Sequence, residues 1–307
     1  MDDAIALAYL LGHGGAELVA VTTVHGNAPV ATTTDNARAL LQAAGAGHVP
    51  VAMGAARPLA QPAAYAPEVH GADGLGGLRE ALGTASAAPV GRAVPAILEA
   101  SRRFAGALEI VAVGPLTNLG LALLADPDLP SRVAAVYVMG GAFDVPGNIT
   151  HAAEANIFHD PEAADLVFTA PWRVVAVGLD VTMKVTFEAG DLERLRQSGS
   201  PFVSVLGRMA TAYAGFYARI FGRLACAQHD ALAAAAAFAP ELFATERRAV
   251  RVELRGQYTR GQTVSLGGRG ADGSAACGEV EVATAVDADR ARAHILEALD
   301  RLDGRSR

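Results

Sequence analysis

The chain has 307 residues, 51% of them hydrophobic and 19% charged, with a formal net charge of −7. This length and apolar content suit one large α/β domain or two ordinary ones, and exclude a disordered chain. The acidic balance argues against a nucleic-acid partner, since phosphate binding needs concentrated Lys and Arg.

Ala4, Ile5, Leu7, Ala8, Leu10 and Leu11 repeat at helical spacing, with Asp2 and Asp3 in the first turn. An apolar run over 17–23, densest at Leu18–Thr22, predicts a buried strand. Residues 31–45 read as a helix and Val49–Val51 as a short strand. A helix over 91–104, a strand over 108–113 and a helix over 116–125 come next. Then follow a strand over 133–138, a helix over 160–169 and a strand over 172–177. Continuous β-branched runs between helices mark parallel strands covered on both faces. The predicted fold class is therefore α/β, an open, mainly parallel, doubly wound sheet with extra helices. Beyond about residue 185 the chain turns helical (190–197, 200–221, 228–239). Strands are predicted at 249–254, 262–266 and 279–284, and a helix over 287–302. The Gly-rich stretch 267–278 reads as a loop, and Ala233–Ala237 as a closely packed helix. No linker divides the chain, so residues 1–307 read as a single domain.

A doubly wound sheet feeds a first strand into its first helix, whereas this chain opens on the helix. The expectation is a sequence that begins late and lacks its first strand. Cys226 and Cys277 form no CxxC pattern, which speaks against a disulfide scaffold or a zinc site and fits a reducing compartment. No apolar run reaches the roughly 20 residues of a membrane span, and no signal peptide is visible. A cytoplasmic setting is expected.

Several segments carry polar groups where this architecture builds sites, at strand carboxyl ends. Asp2 and Asp3 complement a helix dipole, and also suit a hard cation and a sugar diol. His25-Gly26-Asn27 is either a turn or a binding loop. His70–Gly77 reads as a flap or a disordered loop, and matches no phosphate-binding fingerprint. In Gly114-Pro115-Leu116-Thr117-Asn118, Thr or Asn caps a helix, or the turn exposes a carbonyl to a metal. The segment Met139–Glu162 packs Asn148, Glu154 and Asn156 together. Alternation at 154 and 156 sends both side chains to one side of an extended segment. Asp160-Pro161 reads as an N-cap followed by Pro at the first helical position. Gln228-His229-Asp230 opens an apolar helix, where Asp230 caps and His229 is structural, or where the imidazole donates a proton. Tyr213 and Tyr217, one helical turn apart, are packing residues or stack on a base.

Asp2-Asp3, His25-Gly26-Asn27, Gly114–Asn118, Met139–Ala142, Gly147–Thr150, Glu154-x-Asn156-Ile157 and His229-Asp230 occur in an order that resembles the inosine-uridine preferring nucleoside hydrolase family. The likeness runs from Met1 to Asp230 and more weakly through Tyr258–Val264. It implies an open, mainly parallel α/β sheet and hydrolysis of the N-glycosidic bond of ribonucleosides to ribose and base, with a Ca²⁺-bound water. It further implies that Asp3, the Thr117 carbonyl and Asp230 hold the Ca²⁺. Asp2, Asn27, Asn148, Glu154 and Asn156 would then bind the ribose hydroxyls, and His229 would protonate the leaving base. Relatives are often homodimers or homotetramers, and the activity belongs to purine or pyrimidine salvage. The family opens on Asp-x-Asp-x-Gly-x-Asp-Asp, and Met1 falls just before its last two aspartates. The first aspartate, a calcium ligand and the expected base, is absent, which implies a weaker metal site and slower turnover. The alternative is a catalytically impaired nucleoside- or ribose-binding protein of the same fold.

Overall fold

The computed structural model describes residues 1–85, 87, 90–266 and 278–304. Helices and strands alternate through the first half: α1 (Asp2–His13), β1 (Val21–Thr23), α2 (Val30–Ala43), β2 (Val51–Met53), α3 (Pro67–His70), β3 (Gly91–Arg92), α4 (Ala93–Arg103), β4 (Leu108–Ala112), α5 (Thr117–Ala125), β5 (Val133–Met139), α6 (Ala155–His159), α7 (Pro161–Thr169) and β6 (Val174–Val177). The second half adds α8 (Leu179–Thr182), β7 (Thr186–Glu188), α9 (Ala189–Arg196), α10 (Pro201–Phe221), β8 (Ala225–Ala227), α11 (His229–Ala235), β9 (Phe243–Val252), β10 (Thr263–Leu266), β11 (Glu279–Val286) and α12 (Ala288–Gly304).

The main sheet has the order β10-β9-β11-β6-β5-β4. Its four strands β4, β5, β6 and β11 run parallel, and β9 and β10 form an antiparallel edge. The strands β1, β2 and β3 pair in parallel as a separate sheet, and β7 pairs with β8 antiparallel. The α/β, mainly parallel expectation holds, with the strands divided among three sheets rather than one.

Strand alternation explains the layering. On β5, Ala135, Tyr137 and Met139 face a core shared with α1, α10 and α11, while Val136 and Val138 face one shared with α5 and α7. Burying a Val side chain contributes roughly 1.5–3 kcal/mol. Both faces of a parallel strand are thus committed to packing, which leaves its ends for polar chemistry. The alanines of α11 are fully buried and let that helix lie close beneath the sheet. Gly12 performs the same service where α1 crosses α12: a Cβ there would lie 2.0 Å from the Ala298 carbonyl oxygen.

Boundaries depart from expectation in places. β1 starts only at Val21, β2 sits two residues later than 49–51, and the helix expected over 228–239 ends at Ala235. β9 begins at Phe243 rather than 249, because Ala244–Arg247 are exposed and hold strand geometry through main-chain pairing with β11, without an apolar pattern. The Gly-rich residues 267–277 and Cys277 lie outside the described residues. No described helix is long and apolar enough to cross a membrane.

Candidate active site

Two helix N-termini bring acidic side chains together. Asp2 and Asp3 occupy the first turn of α1, and Asp230 that of α11. One oxygen of each carboxylate lies within 4.8 Å of the others. Asp2 and Asp230 are buried, whereas Asp3 is exposed. The Met1 ammonium stands 3.7 Å from Asp2 and 3.5 Å from Asp3. Burial pushes the Asp2 carboxyl above the usual range although the ammonium pulls it down. Burial, with the neighbouring Asp2 and Asp3 charges, pushes Asp230 well above it. Ionised together, three carboxylates against one ammonium would carry excess negative charge in a partly buried, oxygen-only donor set. That is the chemistry of a hard divalent cation, so these residues fit Ca²⁺.

His229 adjoins the cluster. Its Nε2 lies 2.5 Å from the Tyr217 hydroxyl and its Nδ1 2.8 Å from the Thr182 hydroxyl. Burial lowers the imidazole to about 4, so it is neutral near pH 7. The Tyr213 hydroxyl is 3.4 Å from that of Tyr217, and the Tyr213 ring packs on His70. His70 Nδ1 in turn lies 3.4 Å from the Met1 ammonium nitrogen. The turn after His70 is laced by Asp73, which accepts from the amides of Leu75, Gly77 and Arg79.

Glu154 and Asn156 lie on a different local structure from the one expected. The segment is not extended: Glu154 is the N-cap of α6 and Asn156 lies within that helix. The Glu154 carboxylate accepts from the amides of Gly141, Asn156 and Ile157, because capping satisfies helix N–H groups that lack partners. It is buried, which pushes its carboxyl up to about 7. Asn156 donates to the Met139 carbonyl at 3.0 Å and to Val113 at 3.4 Å, bridging the carboxyl ends of β5 and β4. Asn148 is exposed, and its side-chain oxygen accepts from the Ala155 amide.

Thr117 and Asn27 lie on the neighbouring loops. Thr117 is fully buried at the start of α5, and Asn27 is half-buried after β1. The Thr117 hydroxyl does not cap its own helix. It donates to Asp160 at 2.6 Å and meets His25 Nε2 at 2.9 Å. Burial lowers His25 to about 4. Asp160 caps α7 through the Ala163 amide, with Pro161 first in the helix, as its sequence position indicated. The structure thus joins Asp2, Asp3 and Asp230, sets His229 beside them, and brings Glu154 within electrostatic reach of Asp230. No hydrogen bond links Thr117, Asn27 or Asn148 to the three carboxylates among the described residues. Tyr217, Thr182 and Asp160 are contributors that residue pattern alone assigned to packing or base stacking, to nothing and to capping. An open groove along α4, lined by Pro95, Leu98, Glu99, Arg102 and Arg103, holds none of these groups.

The sequence profile described as inosine-uridine preferring nucleoside hydrolase matches residues 1–293. The chain is 38% identical over 265 residues to the pyrimidine-specific ribonucleoside hydrolase RihA of Salmonella enteritidis PT4 (strain P125109), covering 86% of this chain and 84% of that one. It is also 38% identical over 261 residues to probable uridine nucleosidase 1 of Oryza sativa subsp. japonica, covering 84% and 80%. Among solved structures, a plant nucleoside hydrolase superposes with TM-score 0.91 at 35% identity, over 97% of this chain and 95% of that one. A purine-preferring ribonucleoside hydrolase from Gardnerella vaginalis superposes with TM-score 0.88 at 27% identity, over 98% and 96%. The protein is an enzyme of the ribonucleoside hydrolase class, which cleaves N-glycosidic bonds. Within that class, the chain belongs to the inosine-uridine preferring nucleoside hydrolase family.

Proposed function

We propose that the chain hydrolyses pyrimidine ribonucleosides, uridine foremost, with Ca²⁺ held by Asp3, Asp230 and the Thr117 carbonyl. The cluster of Asp2, Asp3 and Asp230, with oxygens within 4.8 Å of one another, carries this reading. The names of the relatives at 38% identity support the pyrimidine preference. When bound, Ca²⁺ supplies Lewis acidity that favours loss of a proton from a coordinated water. Asp2, Asn27, Asn148, Glu154 and Asn156 bind the ribose hydroxyls through carboxylate and amide groups. As the bond from C1′ to the base nitrogen breaks, the ribose gains oxocarbenium character, and the buried carboxylates oppose that positive charge. Water delivers its oxygen to C1′ and gives up its proton to a carboxylate of the Asp2, Asp3 and Asp230 cluster, where burial favours the protonated form, and the electrons of the broken bond pass to the base, which needs a proton. The Tyr217 phenol donates it, and the phenolate so formed takes a proton back through His229, which gives one from Nε2, 2.5 Å away, as it takes one at Nδ1 from the side of the Thr182 hydroxyl. An imidazole lowered to about 4 carries no extra proton at pH 7, so His229 relays a proton to the phenol and is not itself the acid. We further propose a cytoplasmic homodimer or homotetramer serving nucleoside salvage, tested by light scattering on the eluted protein.

The test is release of ribose from uridine, cytidine, inosine and adenosine, with added Ca²⁺ and with a chelator. Calcium-dependent release, fastest from uridine, supports the reading. Release indifferent to the chelator overturns the metal role. Nucleoside binding without release supports the impaired binding protein instead.

A further inference from the structure

We infer that His25, Thr117 and Asp160 form a positioning network that fixes the Thr117 backbone. This rests on the reading of the Thr117 carbonyl as a cation ligand. All three side chains are fully buried. The direction of the chain follows from counting donors. Asp160 accepts at Oδ2 from the Leu59 amide and at Oδ1 from the Ala163 amide, so it acts as an acceptor throughout. The Thr117 hydroxyl must then spend its single proton on Asp160. Its oxygen can only accept from the other side, which places the His25 proton on Nε2.

Asn118 pins the same turn a second way. Its Nδ2 donates to the Thr23 carbonyl at 2.9 Å, and its Oδ1 accepts from the Ala55 amide at 2.9 Å. Gly54 makes room for this amide: a Cβ there would lie 2.2 Å from Asn118 Oδ1 and 2.3 Å from the Thr23 oxygen. The loops after β1, β4 and β5 are thereby tied together, and each carries an expected site residue: Asn27, Thr117 and Asn156. Side-chain hydrogen bonds behind a ligand orient it, and their loss typically costs about 10–100-fold in metal affinity.

The test is calorimetric titration of the purified protein with Ca²⁺ alone, beside melting curves without metal and kcat at saturating Ca²⁺. Thr117→Val keeps the shape and removes the hydroxyl, and His25→Phe removes the Nε2 donor. Both should weaken Ca²⁺ binding about 10–100-fold, and Thr117→Ser should restore wild-type affinity. A folded Thr117→Val protein that binds Ca²⁺ as tightly as wild type, whatever its melting point, overturns the inference and leaves the metal reading intact. No Ca²⁺ binding by the wild type overturns both. If Thr117→Val fails to fold, His25→Phe decides by the same criterion.

Discussion

Changing Tyr217 to Phe deletes one oxygen from a buried pair and leaves the ring packing in place. Tyr217 and His229 are each 4% exposed, and the phenol oxygen lies 2.5 Å from Nε2. Water therefore has little access to replace the lost partner. An imidazole nitrogen stranded in this way costs about 1–3 kcal/mol of stability. The effect on rate is larger if the phenol is the acid. General-acid catalysis contributes about 10²–10⁴-fold, so kcat on uridine should fall by that factor, or about 3–5 kcal/mol of barrier. A 4-nitrophenyl riboside departs as a stable anion and needs no proton, so its kcat should change by less than about threefold. The comparison of the two substrates at pH 7 is the assay. Equal losses on both would show that Phe disturbs ribose or metal binding rather than proton delivery. Unchanged turnover of uridine would remove Tyr217 from the reaction altogether.

Three further outcomes follow from buried charge and close packing. Asp230→Asn should abolish Ca²⁺ stabilisation, which for the wild type is about 2.7 kcal/mol at a hundredfold excess over Kd, read as a calcium-dependent melting shift. Without metal the sign reverses: burial holds the folded Asp230 carboxyl well above its unfolded value, so its ionisation costs stability as pH rises, and Asp230→Asn should melt higher than wild type at pH 8. Glu154, raised to about 7 from 4.5, keeps its proton in the folded chain where the unfolded chain has lost it. Its contribution to stability therefore falls between about pH 4.5 and 7, by at most about 3 kcal/mol, and metal-free Glu154→Gln should gain on wild type as pH rises from 5 to 8. Its KM for uridine should rise, and parallel melting profiles would refute the shift. Gly12→Ala forces α1 away from the Ala298 carbonyl and should cost about 1–3 kcal/mol in urea unfolding; an unchanged midpoint would show that the helices separate freely.

Much of the fold was legible because β-branched runs and helical periods are local. The strands over 108–113 and 133–138 and the Asp160-Pro161 helix start needed only neighbours in sequence. The three-residue strands β7 and β8 were not legible, since they lack the β-branched apolar runs that marked the equally short β1 and β2, nor was the helix α6, which is too short to establish a period. Glu154 misled for a related reason. An N-cap acid and an acid on an extended segment look alike until the next residues are seen to turn. The paired acids and His229-Asp230 stood out as polar groups beside apolar runs. The partners that give them meaning did not. Tyr217 reads as packing or as a base-stacking ring, yet its buried phenol meets an imidazole on another helix. His25, Thr117 and Asp160 come from three distant segments, and nothing local announces that they touch.

The strand order carries a consequence for biogenesis. β11 lies between β6 and β9, and β9 makes no pairing with β6. A growing chain thus completes β6 by residue 177 and leaves its edge open until residues 279–286 emerge. At typical synthesis rates that interval lasts roughly 5–20 s. Two half-sheets wait for the strand that joins them, each offering bare amides and carbonyls to other chains. Arrest of translation within this window should yield aggregation-prone products, and the ribosome-bound nascent chain is where a chaperone would have most to protect.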